Sequence, residues 1–211
     1  MLSEKRDGRG CDTKEMKGFG TETEIVWHYT QGEKLFPIGD SQLLKADMGY
    51  VPRGDQPVVW FTRSEIFDPC AYPEYVSTNG IRGMLTSLKE VAEKGKGLLR
   101  IGIAADNSCL KSFTHWVNTR QYQEYTESVL NLAREKGSKP DEDWFVSYKP
   151  VTKKRWKYVQ IALPEDVTNE GIVKTWREWD FRSDTSKELF SAYRQSLIKD
   201  ECDDRKSCSC C

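Results

Sequence analysis

The sequence predicts a single α+β domain with a mixed or mostly antiparallel sheet and about three helices. Its apolar runs are short and rich in β-branched and aromatic side chains, which is typical of buried strands. Other segments repeat their apolar residues at helical spacing. The two kinds of segment do not alternate regularly, as they would in a doubly wound parallel sheet.

Five segments have the composition of strands, and glycine, proline or polar residues bound each of them. They are IVWHYT (25–30), PVVWFT (57–62), LLRIGIA (98–104), WFVSY (144–148) and WKYVQIAL (156–163). A basic loop around Lys154 connects the last two. A hairpin is the simplest expectation for these two strands.

The helices are predicted from apolar residues that fall on one helical face. They cover 84–92, 122–133 and 189–198. Glycines follow the first two helices and are expected to end them. Thr185 and Glu188 precede the third helix with the spacing of a capping box.

The chain is predicted to have one domain between two flexible ends. Residues 1–24 are expected to form a flexible leader, 25–199 the domain, and 200–211 a charged, Cys-rich flexible tail. No apolar run approaches the roughly 18 residues of a membrane span, and no signal peptide is evident. With seven cysteines, we therefore expect reduced thiols and a cytoplasmic location.

The charge balance limits the kinds of partner. The chain has 32 Lys and Arg against 33 Asp and Glu, for a net charge of -1, which excludes a strongly basic coat but permits a local basic patch. Such a patch is Lys153, Lys154 and Arg155 beside Trp156, the combination that contacts a nucleic-acid backbone and stacks on its bases. The alternative is a solvated turn.

Common cofactor and metal motifs are absent from the sequence. It contains no GxGxxG, no GxxxxGK[ST] and no GxSxG. The two histidines, His28 and His115, are not accompanied by CxxC or HExxH spacing. We therefore expect no metal site.

Two polar residues lie inside apolar strands and require an explanation. His28 in IVWHYT points away from both neighbours, and it is either a hydrogen-bonded structural histidine or part of a site. Arg100 in LLRIGIA needs a partner in a buried strand. That partner is either an internal carboxylate or a bound phosphate.

WHYT at 27–30, followed about thirty residues later by the aromatic strand PVVWFT, resembles the opening of the ADP-ribosyltransferase fold. That superfamily includes poly-ADP-ribose polymerases, DNA-modifying ADP-ribosyltransferase toxins and RNA 2′-phosphotransferases. The resemblance covers roughly 25–163. It implies the fold of that superfamily and NAD as substrate.

The resemblance also implies roles for four residues. His28 would hydrogen-bond a ribose hydroxyl of NAD and take part in catalysis, and the main chain of Tyr29 would hold the nicotinamide carboxamide. Thr30 would support the end of the strand. Trp60 would stack on the nicotinamide ring, where the family has a tyrosine; the alternative is ordinary core packing.

Many members of the family carry a glutamate on a late strand, and WKYVQIAL contains no acid. Gln160 takes the equivalent position and can hydrogen-bond ribose but cannot act as a base. Glu142 is our candidate for the catalytic carboxylate, with Asp143 and Glu165 as further acids. The RNA 2′-phosphotransferases use Arg and His instead, which would give Arg100 a role in binding the cofactor.

The function expected from these residues is an NAD-dependent ADP-ribosyltransferase-like transferase acting on a nucleic-acid or protein acceptor. Catalysis would depend on positioning and on stabilising a cationic ribose. The alternative is a non-catalytic nucleic-acid- or ligand-binding module with an aromatic cleft. A third possibility is a structural protein whose aromatic residues are all core.

Overall fold

The computed structural model describes residues 23–46, 56–76, 82–119 and 123–181. The order of elements is β1 (Ile25–Gln31), α1 (Leu35–Ser41), β2 (Leu43–Leu44), β3 (Val59–Thr62), β4 (Glu74–Val76), β5 (Arg82–Met84), α2 (Leu88–Lys94), β6 (Leu98–Ala104), β7 (Lys111–Ser112), α3 (Phe113–Asn118), α4 (Gln123–Glu135), α5 (Pro140–Asp143), β8 (Trp144–Ser147), β9 (Val151–Thr152), β10 (Trp156–Ala162) and β11 (Arg177–Glu178).

Seven of the strands form one sheet in the order β11-β10-β6-β1-β3-β8-β7, and all of its pairs are antiparallel. The strands β2 and β9 form a separate ribbon, as do β4 and β5. The α+β prediction with a mostly antiparallel sheet is confirmed. All five predicted strands are present, and β6 has the predicted bounds.

The described part of the chain contains five helices, of which α2 and α4 correspond to predictions. The helix α2 begins later than predicted because Ser87 caps it, accepting a hydrogen bond from the main-chain N–H of Glu90 at 3.1 Å. The predicted helix 189–198 lies outside the described residues, as do 1–22 of the predicted leader and the whole tail. None of the helices in the described ranges is long and apolar enough to cross a membrane.

The predicted hairpin between WFVSY and WKYVQIAL is wrong. In the sheet, β8 pairs with β3 and β7, whereas β10 pairs with β6 and β11. The intervening segment forms β9, which pairs with β2, and a 3-10 turn at Lys153–Arg155. The short ribbon strands cannot be recognised from composition.

The two faces of the sheet differ in their cover. The back face carries Val26, His28 and Ile101, and helix α1 and the ribbon β2–β9 cover much of it. The buried side chains of this main core come from the sheet (Val26, Leu99, Ile101, Ile103, Val159 and Ile161) and from its cover (Leu35, Leu44 and Val151).

The front face carries Trp27, Tyr29 and Arg100, and two smaller apolar clusters cover parts of it. The first cluster joins α2 to the strand ends through Phe67, Leu85, Leu88, Val91, Ala92, Leu98, Ala162 and Val167. The second joins α3 and α4 to β8 through Val58, Phe113, Trp116, Leu130 and Val146. Tyr29 packs against the first cluster and the Trp60 ring against the second.

A β-bulge at Lys157 determines which side chains of β10 reach the front face. Trp156 pairs with Ile103 and Tyr158 with Gly102, so Lys157 is the extra residue. Simple alternation would direct Trp156 and Tyr158 to the same face. With the bulge, Trp156 packs against the back core, whereas Tyr158 contacts Trp27 on the front face with ring centroids 5.9 Å apart.

Gly102 leaves the space in which Trp27 lies on the front face. A Cβ atom at Gly102 would come within 2.8 Å of Ile25 Cγ2 and 2.9 Å of Trp27 Cζ3. Both distances are shorter than real Cβ contacts, and the ring belongs to a buried side chain. The glycine therefore permits a large indole in the middle of the sheet.

We predict that Gly102→Ala lowers the free energy of unfolding by about 1–3 kcal/mol, because the added methyl group overpacks the space under the indole. Urea denaturation followed by tryptophan fluorescence measures this change. In a Trp27→Leu background, Gly102→Ala should lower the free energy of unfolding by less, because the indole that the methyl group meets is absent. An unchanged urea midpoint for the single variant would contradict the close packing.

Candidate functional site

Four polar side chains form one row across the front face. Tyr29 on β1 is directly opposite Arg100 on β6, Arg100 is opposite Gln160 on β10, and Gln160 is opposite Glu178 on β11. Directly opposed residues of antiparallel strands project to the same face. We call Glu178, Gln160, Arg100 and Tyr29 the polar row.

Arg100 is the centre of the polar row and is 9% exposed. Its guanidinium carbon lies 4.2 Å from the ring centroid of Trp27 and 4.3 Å from that of Trp176. Nε donates to Gln160 Oε1 at 2.6 Å, and Nη1 donates to the main-chain carbonyl of Glu65 at 3.2 Å. The two indoles and two neutral oxygens fix the guanidinium in one plane.

The sequence left open whether the partner of Arg100 is an internal carboxylate or a bound phosphate. Among the described residues, no carboxylate forms an ion pair with Arg100. Its hydrogen-bond partners there include the amide of Gln160, the main-chain carbonyl of Glu65 and the phenol of Tyr29. A guanidinium has further N–H donors, so Arg100 retains both its charge and donors with which it could bind an anion.

Glu178 is a carboxylate of the row that sequence reasoning missed. Gln160 Nε2 donates a hydrogen bond to Glu178 Oε1, and this bond orients the Gln160 amide so that its oxygen faces Arg100. Glu178 lies on a two-residue strand, too short to show alternation. The sequence draws attention to Glu178 only through the two tryptophans that flank it, Trp176 and Trp179.

Tyr29 presents an uncharged hydroxyl to the row. The phenol donates a hydrogen bond to the main-chain carbonyl of Ser64 at 3.0 Å. Burial raises the pKa of Tyr29 to about 12, with a contribution from the Glu65 carboxylate, although Arg100 opposes the shift. Tyr29 is therefore neutral at physiological pH and does not compensate the charge of Arg100.

The strands β1 and β3 separate next to the row. Trp27 pairs with Thr62, and this register would bring Tyr29 opposite Trp60, but the two strands are not paired there. Instead, His28 Nδ1 lies 2.9 Å from the main-chain oxygen of Trp60. One edge of β1 therefore lacks ladder hydrogen bonds to β3 after Trp27, and the His28 ring connects the strands across this split.

His28 is half-buried on the back face, where its ring lies 5.8 Å from that of Phe61. Burial lowers the pKa of His28, although the hydrogen bond to the Trp60 carbonyl opposes the shift. The neutral ring must donate from Nδ1 to this carbonyl. Thr30 also projects to the back face, because it is two residues beyond His28 in the strand.

Trp60 projects to the front face and remains 37% exposed. Its ring packs edge-on against Trp116 and Trp144, with centroids 4.8 and 5.8 Å apart. Phe113 supports it from a third side at 6.2 Å. Trp60 is therefore held rigidly by neighbouring rings while part of its surface stays open.

Glu142, the sequence candidate for a catalytic carboxylate, lies on α5 outside the polar row. Its carboxylate is exposed and forms an ion pair with Lys139 at 3.8 Å, and its main-chain carbonyl accepts a hydrogen bond from Arg63 Nη1 at 2.6 Å. Glu65 lies closer to the row, because its carbonyl contacts Arg100 and its carboxylate raises the pKa of Tyr29.

The structure brings together three of the residues that the sequence singled out and separates others. Tyr29, Arg100 and Gln160 are directly opposed. The side chains of His28 and Trp60 leave opposite faces of the sheet. Within the described ranges, no group of three or more His, Cys, Asp or Glu side chains could hold a metal ion.

We predict that Tyr29 makes stability fall with pH under alkaline conditions. An unfolded tyrosine ionises near pH 10, whereas Tyr29 in the folded protein ionises at about 12. The folded state keeps a proton that the unfolded state loses, so the free energy of unfolding falls as the pH rises through this interval. Urea denaturation at several pH values should give a shallower fall for Tyr29→Phe, and identical pH dependence would contradict the buried phenol.

Comparison of the chain with protein-family models, curated proteins and solved structures finds no match. The resemblance to the ADP-ribosyltransferase superfamily therefore rests on the segments WHYT and PVVWFT. Function must be inferred from the chemistry of the front face.

Proposed function

We propose that the protein is an NAD-using transferase of the ADP-ribosyltransferase type, which binds NAD across the front face of the sheet. The observation that carries the proposal is Arg100, a buried guanidinium stacked between two indoles without a described carboxylate partner. The planar guanidinium can donate two parallel hydrogen bonds to the oxygens of a phosphate group, and the diphosphate of NAD supplies such oxygens.

The spacing of the row supports an extended ligand. Neighbouring paired strands are about 4.8 Å apart, so Glu178, two strands from Arg100, lies about 10 Å away. Trp60 lies in the opposite direction, beyond β1. In the proposed pose the diphosphate contacts Arg100 and the nicotinamide stacks on the open part of Trp60. Gln160 and Glu178 then bind the hydroxyls of the adenosine ribose, for which an amide and a carboxylate are suitable.

The split between β1 and β3 suits the nicotinamide end of the ligand. The edge of β1 after Trp27 has no ladder bonds to β3, so its main-chain groups are available to a carboxamide beside Trp60. This agrees with the main-chain role that the resemblance implies for Tyr29. We assign His28 to maintaining the split, because its ring bonds the Trp60 carbonyl from the back face.

In the proposed reaction the bond between ribose C1′ and nicotinamide breaks, and the acceptor attacks C1′ as positive charge develops there. Glu65 is an acid beside the row, since its main-chain carbonyl contacts Arg100. Its carboxylate would stabilise the cationic ribose and receive the acceptor's proton. Nicotinamide leaves with the electron pair of the broken bond.

The second candidate is a binding module that takes the same ligand without turning it over. It is favoured by His28, which faces the back core rather than the ribose that the resemblance would give it. The two functions differ in one observable, the release of nicotinamide from bound NAD.

We predict that NAD binds to the wild type and that Arg100→Gln weakens binding about 10- to 150-fold, which corresponds to one charge-assisted hydrogen bond. Isothermal titration calorimetry measures both affinities. Arg63→Gln is the matched control, because Arg63 directly follows β3 and already forms an ion pair with Glu24 at 2.7 Å.

Trp60→Ala should weaken NAD binding by about 1–3 kcal/mol, because the stacking of nicotinamide on the indole is lost. No binding of NAD at millimolar concentration would exclude the proposal.

We predict that Glu65→Gln lowers the rate of nicotinamide release about 100-fold or more, with NAD affinity retained, because it removes a group that acts in the transition state. Glu178→Gln should instead weaken NAD binding, because Glu178 contacts the ribose end. Glu142→Gln is the control and should leave both quantities unchanged. Chromatographic detection of nicotinamide gives the rate. If Glu142→Gln alone abolished release, the assignment of Glu65 would be wrong.

A further inference from the structure

A strongly basic segment precedes and enters β10. Residues 149–158, with the sequence KPVTKKRWKY, contain five basic residues and no acid. The five are Lys149, Lys153, Lys154, Arg155 and Lys157. This local excess contrasts with the net charge of -1 of the whole chain.

The basic side chains of this segment are not neutralised by the described part of the protein. Lys153 Nζ lies over the ring of Phe181, 4.6 Å from its centroid, and Arg155 Nη1 donates to the amide oxygen of Asn107. Lys154 and Lys157 are exposed. None of the five forms an ion pair with a described carboxylate.

An exposed aromatic ring stands directly beside this charge. Trp156, which the sequence singled out for base stacking, is turned towards the back core, and its Nε1 donates to the carbonyl of Val151 at 3.3 Å. The bulge at Lys157 brings Tyr158 to the front face instead, where it is 43% exposed. Tyr158 is the ring available for stacking.

Tyr158 is the outer end of a continuous series of planar groups. Its ring contacts Trp27, the Trp27 ring stacks on Arg100, and Arg100 stacks on Trp176. The inner groups are covered on both sides, whereas Tyr158 has an open surface. A flat, electron-rich base placed there would extend the series.

We propose that this surface binds single-stranded nucleic acid, with phosphates on the exposed Lys154, Arg155 and Lys157 and a base stacked on Tyr158. A single strand is required because the bases of a duplex are stacked on one another and cannot reach the ring. This inference goes beyond NAD binding and does not depend on it. If the proposed function is correct, the bound strand lies beside the polar row as the acceptor.

The first test measures the salt dependence of binding by fluorescence anisotropy with labelled oligothymidylate, in the absence of NAD. Each phosphate contact to a single strand contributes about -0.7 to the slope of log K against log salt, so three contacts give about -2.1. Lys154→Glu combined with Lys157→Glu should make the slope shallower by about 1.4. Lys136→Glu with Lys174→Glu is the matched control, since both lysines are exposed elsewhere and the charge change is equal.

The second test separates stacking from charge. Tyr158→Leu should weaken binding at least about fivefold, whereas Tyr158→Phe keeps the ring and should bind like the wild type. Leucine preserves an apolar contact with Trp27, and thermal melting of each variant verifies the fold. A duplex of the same length should bind more weakly than the single strand.

Three results would overturn the inference: equal binding of duplex and single strand, equal effects of the test and control lysine pairs, or unchanged affinity of a folded Tyr158→Leu variant. Competition by polyglutamate as effective as by oligothymidylate would also overturn it, since the surface would then bind any polyanion. If these tests fail while NAD binding is intact, only the proposal of nucleic-acid binding is refuted. If NAD binding fails while oligonucleotide binding is intact, only the proposal of a transferase is refuted.

Discussion

The front face of the sheet depends on one interaction, the stacking of the Arg100 guanidinium between Trp27 and Trp176. Burying a cation costs several kcal/mol unless charge and hydrogen bonds compensate it. Two desolvated cation–π contacts of about 2 kcal/mol each, with the bonds to Gln160 and Glu65, offset much of this cost. A bound anion would supply the counter-charge.

Two departures from regular pairing surround this interaction and give the face its shape. The bulge at Lys157 turns Tyr158 to the front, and the separation of β1 from β3 leaves one strand edge beside Trp60 without ladder bonds. Bulges and open edges weaken a sheet locally. Here each one lies next to an exposed aromatic ring, so the irregular positions coincide with the residues that could stack on a ligand.

Composition and periodicity predicted most of the sheet, and β6 has the predicted bounds because its residues are all buried. The isolated position of Arg100 in that strand indicated that it needs a partner, and the sequence left open whether that partner is an internal carboxylate or a bound phosphate. The neighbours of Arg100 were not predictable, since Glu178 lies on a two-residue strand and Glu65 in a loop. The side chain of Trp156 lies on the back face, opposite to that of Tyr158, because of the bulge at Lys157. The segment WKYVQIAL carries no sequence signature of this bulge. The side chains of His28 and Trp60 lie on opposite faces of the sheet because side chains alternate along β1 and β3. This can be deduced only once the register of the two strands is known.

In the proposed mode of binding, the Arg100 guanidinium receives the diphosphate of NAD. The most direct measurement is a titration of the protein with NAD in which the arginine side-chain N–H resonances are followed by NMR, with Arg100 assigned through Arg100→Lys. We expect the Nε–H resonance of Arg100 to shift in a saturable way while that of Arg63 stays in place. A saturable shift of other resonances with Arg100 unchanged, or no shift of any resonance, would contradict the claim.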